Sequence, residues 1–471
     1  MKHIAWILAL ALPAAQAAPE LNCYIPGKGK PAHCGELRRP LNPQRADGPG
    51  ISIRYIVIPT KAPHPGHPVF FLAGGPGQSA SRFAGALAQL LKETSRKHDL
   101  VFVDQRGTGQ SAPLPCPEDS RQGSDPARYA GECLQRLAKT PWGQPQFFTT
   151  SIAAQDMEAV RRHLGYGKAD LLGVSYGTRL ALEWQRQYPD SIDRQLLDSV
   201  VPPDINLPLS AAVDADRALR QLLQRCAEDQ DCKRRYPQLS QRVADLLNHL
   251  PPTIKLPRLS GGIHEQAVPR EQILDWIRQP LYAPASSRAL PAALYAASQG
   301  NWLPLSGLGQ QGGRQLAYDP LAISLGMHLS AVCAEDMPLY RPAAAPAGLF
   351  GDGLAKRYRQ MCAQWPVSPA PAAFYQLTPS AGAVWMLAGS ADPITPPRHA
   401  QRLAGVLGRN ARVSVIPNAG HNVIGLACLP QAAAEFFDAP DSAAALKVDI
   451  HCADKLPAAR AFVPPSVENP S

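Results

Sequence analysis

The sequence predicts an α/β protein, a mostly parallel sheet with helices on both faces, carrying a large and mainly helical cap insertion. Short apolar, β-rich runs alternate with amphipathic stretches in both halves of the chain, the pattern of strand–helix–strand units whose strands are buried on both sides. Between the halves, from Val201-Pro202-Pro203 to about Pro379, helical stretches are broken by proline-rich loops and β-rich runs are few. A chain of 471 residues can build one large core with such an insertion. The divisions fall at 1–17 (a leader), 18–204 (the first part of the core), 205–378 (the cap, or lid) and 379–471 (the second part of the core and a tail).

The elements follow in order. Lys2 and His3 precede an apolar run at 4–12 and the small-residue site Ala15-Gln16-Ala17, which is the pattern of a secretory signal peptide. The run breaks at Pro13, far short of the ~20 residues a membrane span needs. An exported protein, periplasmic or secreted, is therefore expected rather than a membrane anchor. Strands are expected at 51–58, 68–72, 100–103, 169–174 and 195–201. A helix is expected at 151–164, where Ala153, Met157, Val160 and Leu164 share a face and Gly165 follows the end. Another fits 176–188, with Leu180, Trp184 and Tyr188 one turn apart and Pro189 stopping it. The cap carries helical stretches at 211–227, 239–250 and 270–281. The strand–helix rhythm returns with strands at 383–387 and 413–416 around a helix at 396–407. Thr395 stands as N-cap of that helix, Pro396 at its first position and Gly408 past its last turn. The tail beyond Ala439 reads as irregular, held by Cys452.

Composition removes several classes. Hydrophobic residues make up 45% and charged residues 18%, so the chain is no disordered polyelectrolyte. Forty-nine prolines exclude coiled coils and long helical arrays. The net charge of +9 is thinly spread: the longest basic run is 233–235, with Asp231 beside it, so nucleic acid is not an expected partner. The ten cysteines are even in number, lie beyond the leader and show no C-x-x-C spacing. In an oxidising compartment that favours disulfides over zinc, and no metal is expected. They fall as sequence neighbours, Cys23 with Cys34, Cys116 with Cys133, Cys226 with Cys232, Cys333 with Cys362 and Cys428 with Cys452, and local loops are the pairing expected.

Chemistry gathers at strand ends. Gly173-Val174-Ser175-Tyr176-Gly177 is the only G-x-S-x-G in the chain, and it stands where an expected strand meets an expected helix. A serine in a strained strand-to-helix turn needs small neighbours, presents its hydroxyl at the sheet edge and leaves the next backbone N–H free for an oxyanion. Such a serine needs a base, and in this architecture an acid and then a histidine follow it in the chain. Of His399, His421 and His451, only His421 follows a strand directly, in the loop Asn418-Ala419-Gly420-His421. Asp392 ends the preceding strand unit and is the expected acid; standing alone it would read as a turn residue before Pro393. The second oxyanion donor is expected from the loop Ala73-Gly74-Gly75-Pro76-Gly77. Pro76 has no N–H, which leaves Gly75 opposite Tyr176. Gly107-Thr108-Gly109-Gln110-Ser111-Ala112 imitates a dinucleotide fingerprint, but Pro113 and Pro115 stand where a phosphate-binding helix should run. Asp104 and Arg106 are expected to form a local structural pair, and no cofactor is expected.

Together, GGPG at 74–77, DQRGTGQS at 104–111, GVSYGT at 173–178, SADPITPP at 390–397 and GH at 420–421 resemble the proline iminopeptidase and tripeptidyl aminopeptidase family of α/β-hydrolase serine peptidases. Ala73 and Tyr176 stand where prolyl iminopeptidases usually carry His and Trp, which favours the tripeptidyl aminopeptidase-like branch. The paired cysteines of the cap and tail look like the secreted bacterial members of that branch. The resemblance implies an α/β-hydrolase core, Ser175 as nucleophile with Asp392 and His421 as partners, and cleavage of short peptides from the free amino terminus. An esterase or amidase for small molecules on the same triad is the alternative, and a silent binding protein on the same fold a further one. An exopeptidase must recognise an α-ammonium, and Glu335 and Asp336, next to Cys333 in the cap, are the carboxylates expected to do so.

Overall fold

A computed structural model describes residues 21–25, 31–117, 125–257, 261–310, 322–342 and 348–464; the expected leader at 1–17 lies outside them. Strands β1 (Leu21–Tyr24), β2 (Pro31–Pro40) and β3 (Gly50–Ile58) build one edge of the sheet. Then β4 (Val69–Leu72) leads through α1 (Ala80–Leu90) to β5 (Leu100–Val103), and α2 (Pro126–Leu137) and α3 (Thr150–His163) lead to β6 (Ala169–Val174). From β6, α4 (Tyr176–Gln187) runs to β7 (Ile192–Asp198).

The cap follows β7. It contains α5 (Leu207–Glu228), α6 (Gln230–Arg235), α7 (Leu239–Asn248), the hairpin of β8 (Ile254–Pro257) with β9 (Ile263–Gln266), α8 (Arg270–Leu281), α9 (Pro284–Ser287), α10 (Leu290–Ser298) and α11 (Leu303–Gln310). Next come α12 (Leu325–Ala331), which runs on as a π-helical turn Val332–Asp336, and α13 (Gly353–Cys362). The core closes with β10 (Val384–Gly389), α14 (Pro397–Leu407), β11 (Ala411–Ile416), α15 (Leu429–Asp438) and α16 (Ser442–Ala445).

The nine-stranded sheet has the order β1-β2-β3-β5-β4-β6-β7-β10-β11. Neighbours are antiparallel as far as the β3–β5 pair and parallel from β5 to β11. The period of two along each strand sorts side chains to the two faces. Phe70 and Leu72 join α3, α4 and α14 through Met157, Val160, Leu180, Trp184 and Leu403. Val69 and Phe71 join α1 and α15 through Ala84, Leu87, Phe436 and Phe437. Strands buried on both sides explain the nearly unbroken apolar runs.

The cap has a core of its own, around Leu219, Val243, Trp276, Ile277, Leu294 and Trp302. Its later part differs: Met327, Leu329, Ala331, Cys333, Met361 and Trp365 pack into the core on one face of the sheet, so the chain rejoins the main body from α12 onward. Beyond α16, the tail returns to the cap, where Phe462 N–H donates to Arg288 O at 2.8 Å and Tyr236 Oη donates to Phe462 O at 2.8 Å. Disulfides join Cys23–Cys34, Cys116–Cys133, Cys226–Cys232, Cys333–Cys362 and Cys428–Cys452. Among the described residues no helix is long and apolar enough to cross a membrane.

Two of the element boundaries that differ from expectation have a visible physical reason. β7 occupies 192–198 instead of 195–201, because Ser199 takes φ 63° and turns the chain out of the sheet. α14 begins at Pro397 with Pro396 at the cap position, since the Thr395 hydroxyl is spent on Asp392 and caps nothing.

Candidate active site

Ser175 lies between β6 and α4 with φ 55° and ψ −124°, a conformation sparsely populated by residues with a side chain. Its surroundings leave little room. A Cβ on Gly177 would lie 2.0 Å from Leu72 O, and one on Gly173 would lie 2.8 Å from Gly177 O. The two motif glycines thus let the start of α4 touch the ends of β4 and β6. The Ser175 N–H donates to Asp198 O at 2.8 Å, and Ser175 O accepts from Thr178 N at 2.9 Å and Thr178 Oγ1 at 2.6 Å.

The fold brings the three expected residues together. His421 Nε2 is 3.1 Å from Ser175 Oγ, and His421 Nδ1 is 2.8 Å from Asp392 Oδ2. A carboxylate only accepts, so Nδ1 carries the ring proton and Nε2 accepts from the serine hydroxyl. Asp392 is buried and also accepts from Ile394 N and Thr395 N at 2.9 Å each and from Thr395 Oγ1 at 2.8 Å. Burial alone would raise its pKa, but the charge and hydrogen bond of His421 and these donors hold it below the usual carboxylate value. Burial favours the neutral form of His421, yet the charge and hydrogen bond of Asp392, with the charge of Asp198, raise it above the usual 6.5.

Of the expected oxyanion donors, Tyr176 is the first residue of α4, so its N–H has no partner within the helix. Gly75, at φ 110°, belongs to the loop whose Gly74 stands beside Ser175: a Cβ on Gly74 would lie 3.1 Å from Ser175 Cβ. The Gly75–Pro76 peptide is cis. The loop is held from outside, as Ser324 N donates to Gly77 O at 2.9 Å and His328 Nδ1 to Pro76 O at 3.0 Å, while Tyr358 Oη donates to His328 Nε2 at 2.7 Å. From the cap, Tyr282 sets its ring edge-on to His421 with centroids 5.2 Å apart, and its carbonyl accepts from His421 N at 2.9 Å.

Glu335 and Asp336, the carboxylates expected to meet an α-ammonium, are both engaged by donors of the protein itself. Both are buried, at 0% and 1% exposure, and their oxygens are engaged. Glu335 accepts from Thr150 N at 2.7 Å and Thr150 Oγ1 at 2.8 Å, and Asp336 accepts from Arg179 Nη1 and Nη2 at 3.1 Å each and from Leu207 N at 2.9 Å. They tie the π-helical turn to α3, α4 and the start of α5. Burial pushes Glu335 up to about 7 against the pull of Arg179 and Thr150.

The expected pairing of Asp104 with Arg106 is corrected. Asp104 accepts from Ser79 Oγ, Ser81 N, Ser81 Oγ and Gln110 N, whereas Arg106 makes a bidentate pair with Asp156 and donates to Leu41 O and Phe147 O. The false fingerprint has a local cause: a Cβ on Gly109 would lie 2.1 Å from Asp104 Oδ2. His399 is bound to Asp214, and His451 to Asp454 at the surface.

Sequence reasoning missed Asp198, Ser199, Thr395, Tyr282 and His328. For Asp198 and Ser199 a signal existed, two polar residues closing a buried apolar strand. The other three depend on neighbours distant in sequence.

The family described as "alpha/beta hydrolase fold" matches residues 67–426. The chain is 29% identical over 232 residues to "Serine protease Hip1" of Mycobacterium tuberculosis, covering 44% of this chain and 43% of that protein. It is 30% identical over 199 residues to "Tripeptidyl aminopeptidase" of Streptomyces lividans, covering 37% and 36%. It is 30% identical over 135 residues to "Proline iminopeptidase" of Neisseria gonorrhoeae, covering 29% and 33%. The chain spans less than half the length of these curated relatives. Among solved structures, the proline iminopeptidase of Mycobacterium smegmatis aligns over 88% of this chain and 100% of that one, with 16% identity and a TM-score of 0.43.

Proposed function

Because the chain belongs to the α/β-hydrolase fold family, we propose that it is an exported serine peptidase that releases short peptides or single residues from a free amino terminus. The observation that carries the reading is the line from Ser175 Oγ to His421 Nε2, 3.1 Å, and from His421 Nδ1 to Asp392 Oδ2, 2.8 Å, at a strained elbow. The regional likeness to proteins named serine protease, tripeptidyl aminopeptidase and proline iminopeptidase supports peptide over ester. Five disulfides support an oxidising compartment.

In the proposed reaction Ser175 Oγ attacks the scissile carbonyl as its proton passes to His421 Nε2. Asp392 stabilises the imidazolium so formed, and the N–H groups of Tyr176 and Gly75 receive the carbonyl oxygen as it becomes anionic. Collapse breaks the C–N bond, and His421 gives its proton to the leaving amine. Water, deprotonated by His421, then cleaves the acyl-serine ester, releases the amino-terminal fragment as an acid and restores the serine. No step needs a cofactor.

The test is a panel of free peptides, amino-terminally acetylated peptides and short-chain esters, run beside a fluorophosphonate probe. Labelling of Ser175 with cleavage of free but not acetylated peptides is expected. Equal cleavage of free and acetylated peptides overturns the amino-terminal reading, preference for esters moves the protein to the esterases, and absence of labelling makes it a silent fold.

A further inference from the structure

Asp198 and Ser199, at the end of β7, touch all three segments that carry the proposed triad. The backbone carbonyl of Asp198 accepts the N–H of Ser175 at 2.8 Å, and Ser199 N–H donates to Leu387 O, on the strand leading to Asp392, at 2.9 Å. On the side-chain level, Asp198 Oδ2 accepts from Val423 N at 2.7 Å and Ile424 N at 2.8 Å, and Ser199 Oγ accepts from Asn422 N at 2.9 Å while donating to Asp198 Oδ1 at 3.1 Å. The three residues that follow His421 are therefore all held by this dipeptide.

The chemistry of the side chain matters as well as its place. Asp198 is fully buried, and among the described residues no lysine or arginine pairs with it. A buried carboxylate without a cation is costly, and a neutral asparagine oxygen could accept the same two N–H groups. Desolvation indeed pushes Asp198 up to about 6, against the donors of the base loop and the charge of His421. What a carboxylate adds to the anchoring is a second acceptor, for Ser199 Oγ, and charge, and the ionisable group on which that charge acts is His421.

We infer that Asp198 and Ser199 are positioning residues for the proposed hydrolysis, fixing the base loop against the nucleophile and placing a second anion, beside Asp392, near the imidazole that turns cationic during turnover. The inference rests on the proposed serine-hydrolase reading. The other titratable groups around the ring are Asp392, beyond β10, and Tyr282 of the cap, behind which Arg278 and Asp275 form an ion pair. The sign follows. An anion near His421 favours the imidazolium, so its removal lowers the pH at which the base becomes neutral.

The experiment is the rate of labelling by a fluorophosphonate across pH, in the wild type, Asp198→Asn, Ser199→Ala and Ser175→Ala, with thermal unfolding checked for each. Displacement of fluoride by Ser175 needs the base but no peptide, so the readout is independent of the substrate proposed. In Asp198→Asn the plateau is expected to fall about tenfold and the acidic limb to move to lower pH. In Ser199→Ala the plateau is expected to fall about threefold with the limb in place. An unmoved limb in folded Asp198→Asn overturns the inference, whatever the plateau does. Should Asp198→Asn not fold, Ser199→Ala decides, and a wild-type rate in it overturns the inference. Labelling of Ser175→Ala at the wild-type rate would instead overturn the serine-hydrolase reading.

Discussion

Ser175 gives up backbone comfort for position. Its φ and ψ suit glycine, and holding such a conformation with a side chain costs about 1–3 kcal/mol. Ser175→Ala should lower turnover by about 10⁴-fold and keep the strain. Ser175→Gly should be as inactive yet more stable than Ser175→Ala by about 1 kcal/mol, the relieved strain being partly offset by the extra chain entropy of glycine; urea denaturation of the two proteins decides. A second expectation concerns pH. Because Asp392 raises His421 above 6.5, kcat/KM should rise through an apparent pKa above that value and fall off on the acid side. A rate flat between pH 5 and 8 on a chemistry-limited substrate would remove His421 as base. Linkage gives the same pair a stability signature. A histidine raised in the folded state contributes stability that is complete below 6.5 and is lost as pH climbs through the folded value. At this scale the meeting of Ser175, His421 and Asp392 was legible, since Ser175 sits in a spaced motif and chain order selected Asp392 and His421. The surroundings of Glu335 and Asp336 were not legible, because sequence shows two acids but not Arg179 and Thr150 closing over them.

Strand ends and helix starts set the site's geometry by backbone contact. Gly177→Ala would drive a methyl group into Leu72 O at 2.0 Å, backbone against backbone, and should destabilise by about 3 kcal/mol or more. Gly405 lies inside α14 and is exposed, and a methyl group added there would meet nothing within 4 Å, so Gly405→Ala should stabilise by about 0.5–1 kcal/mol. Opposite signs for two Gly→Ala changes, read as urea midpoints, test the packing of the elbow separately from helix propensity. Buried strands and regular amphipathic helices were legible in the sequence because periodicity reports burial directly. β2 was not: in Pro31–Pro40, Glu36, Arg38 and Arg39 interrupt the apolar pattern of an antiparallel strand near the edge. α1 was missed for another reason, its face being built of small residues such as Ala80, Ala84 and Ala88.

Polar ties join the cap to the core beside the apolar packing of its later part. Asp214, on α5, is buried and accepts from Arg398 Nε and Nη2 at 2.8 Å each and lies 2.9 Å from His399 Nε2, both residues on α14. Asp214→Ala should destabilise by about 1–3 kcal/mol, since it leaves the buried His399 without its partner while Arg398 can turn to water, and thermal unfolding measures it. That the chain leaves the sheet after β7 and returns before β10 was legible from the change in rhythm at Pro202 and Pro379. The rejoining at α12 was not, because Met327, Leu329 and Trp365 are as apolar as any cap residue and only the fold shows which core they enter.

The carbonyl of Tyr282, which receives the N–H of His421, makes the cap part of the support of that residue. A Cβ on Gly420 would lie 2.2 Å from that same oxygen, so the contact admits no thicker loop. Chimeras built by exchanging caps between hydrolases treat the insertion as a detachable module. In this chain a foreign cap would have to bring a backbone carbonyl to the same place, so the segment around Tyr282 and the loop from Asn418 to His421 must be transplanted as one graft.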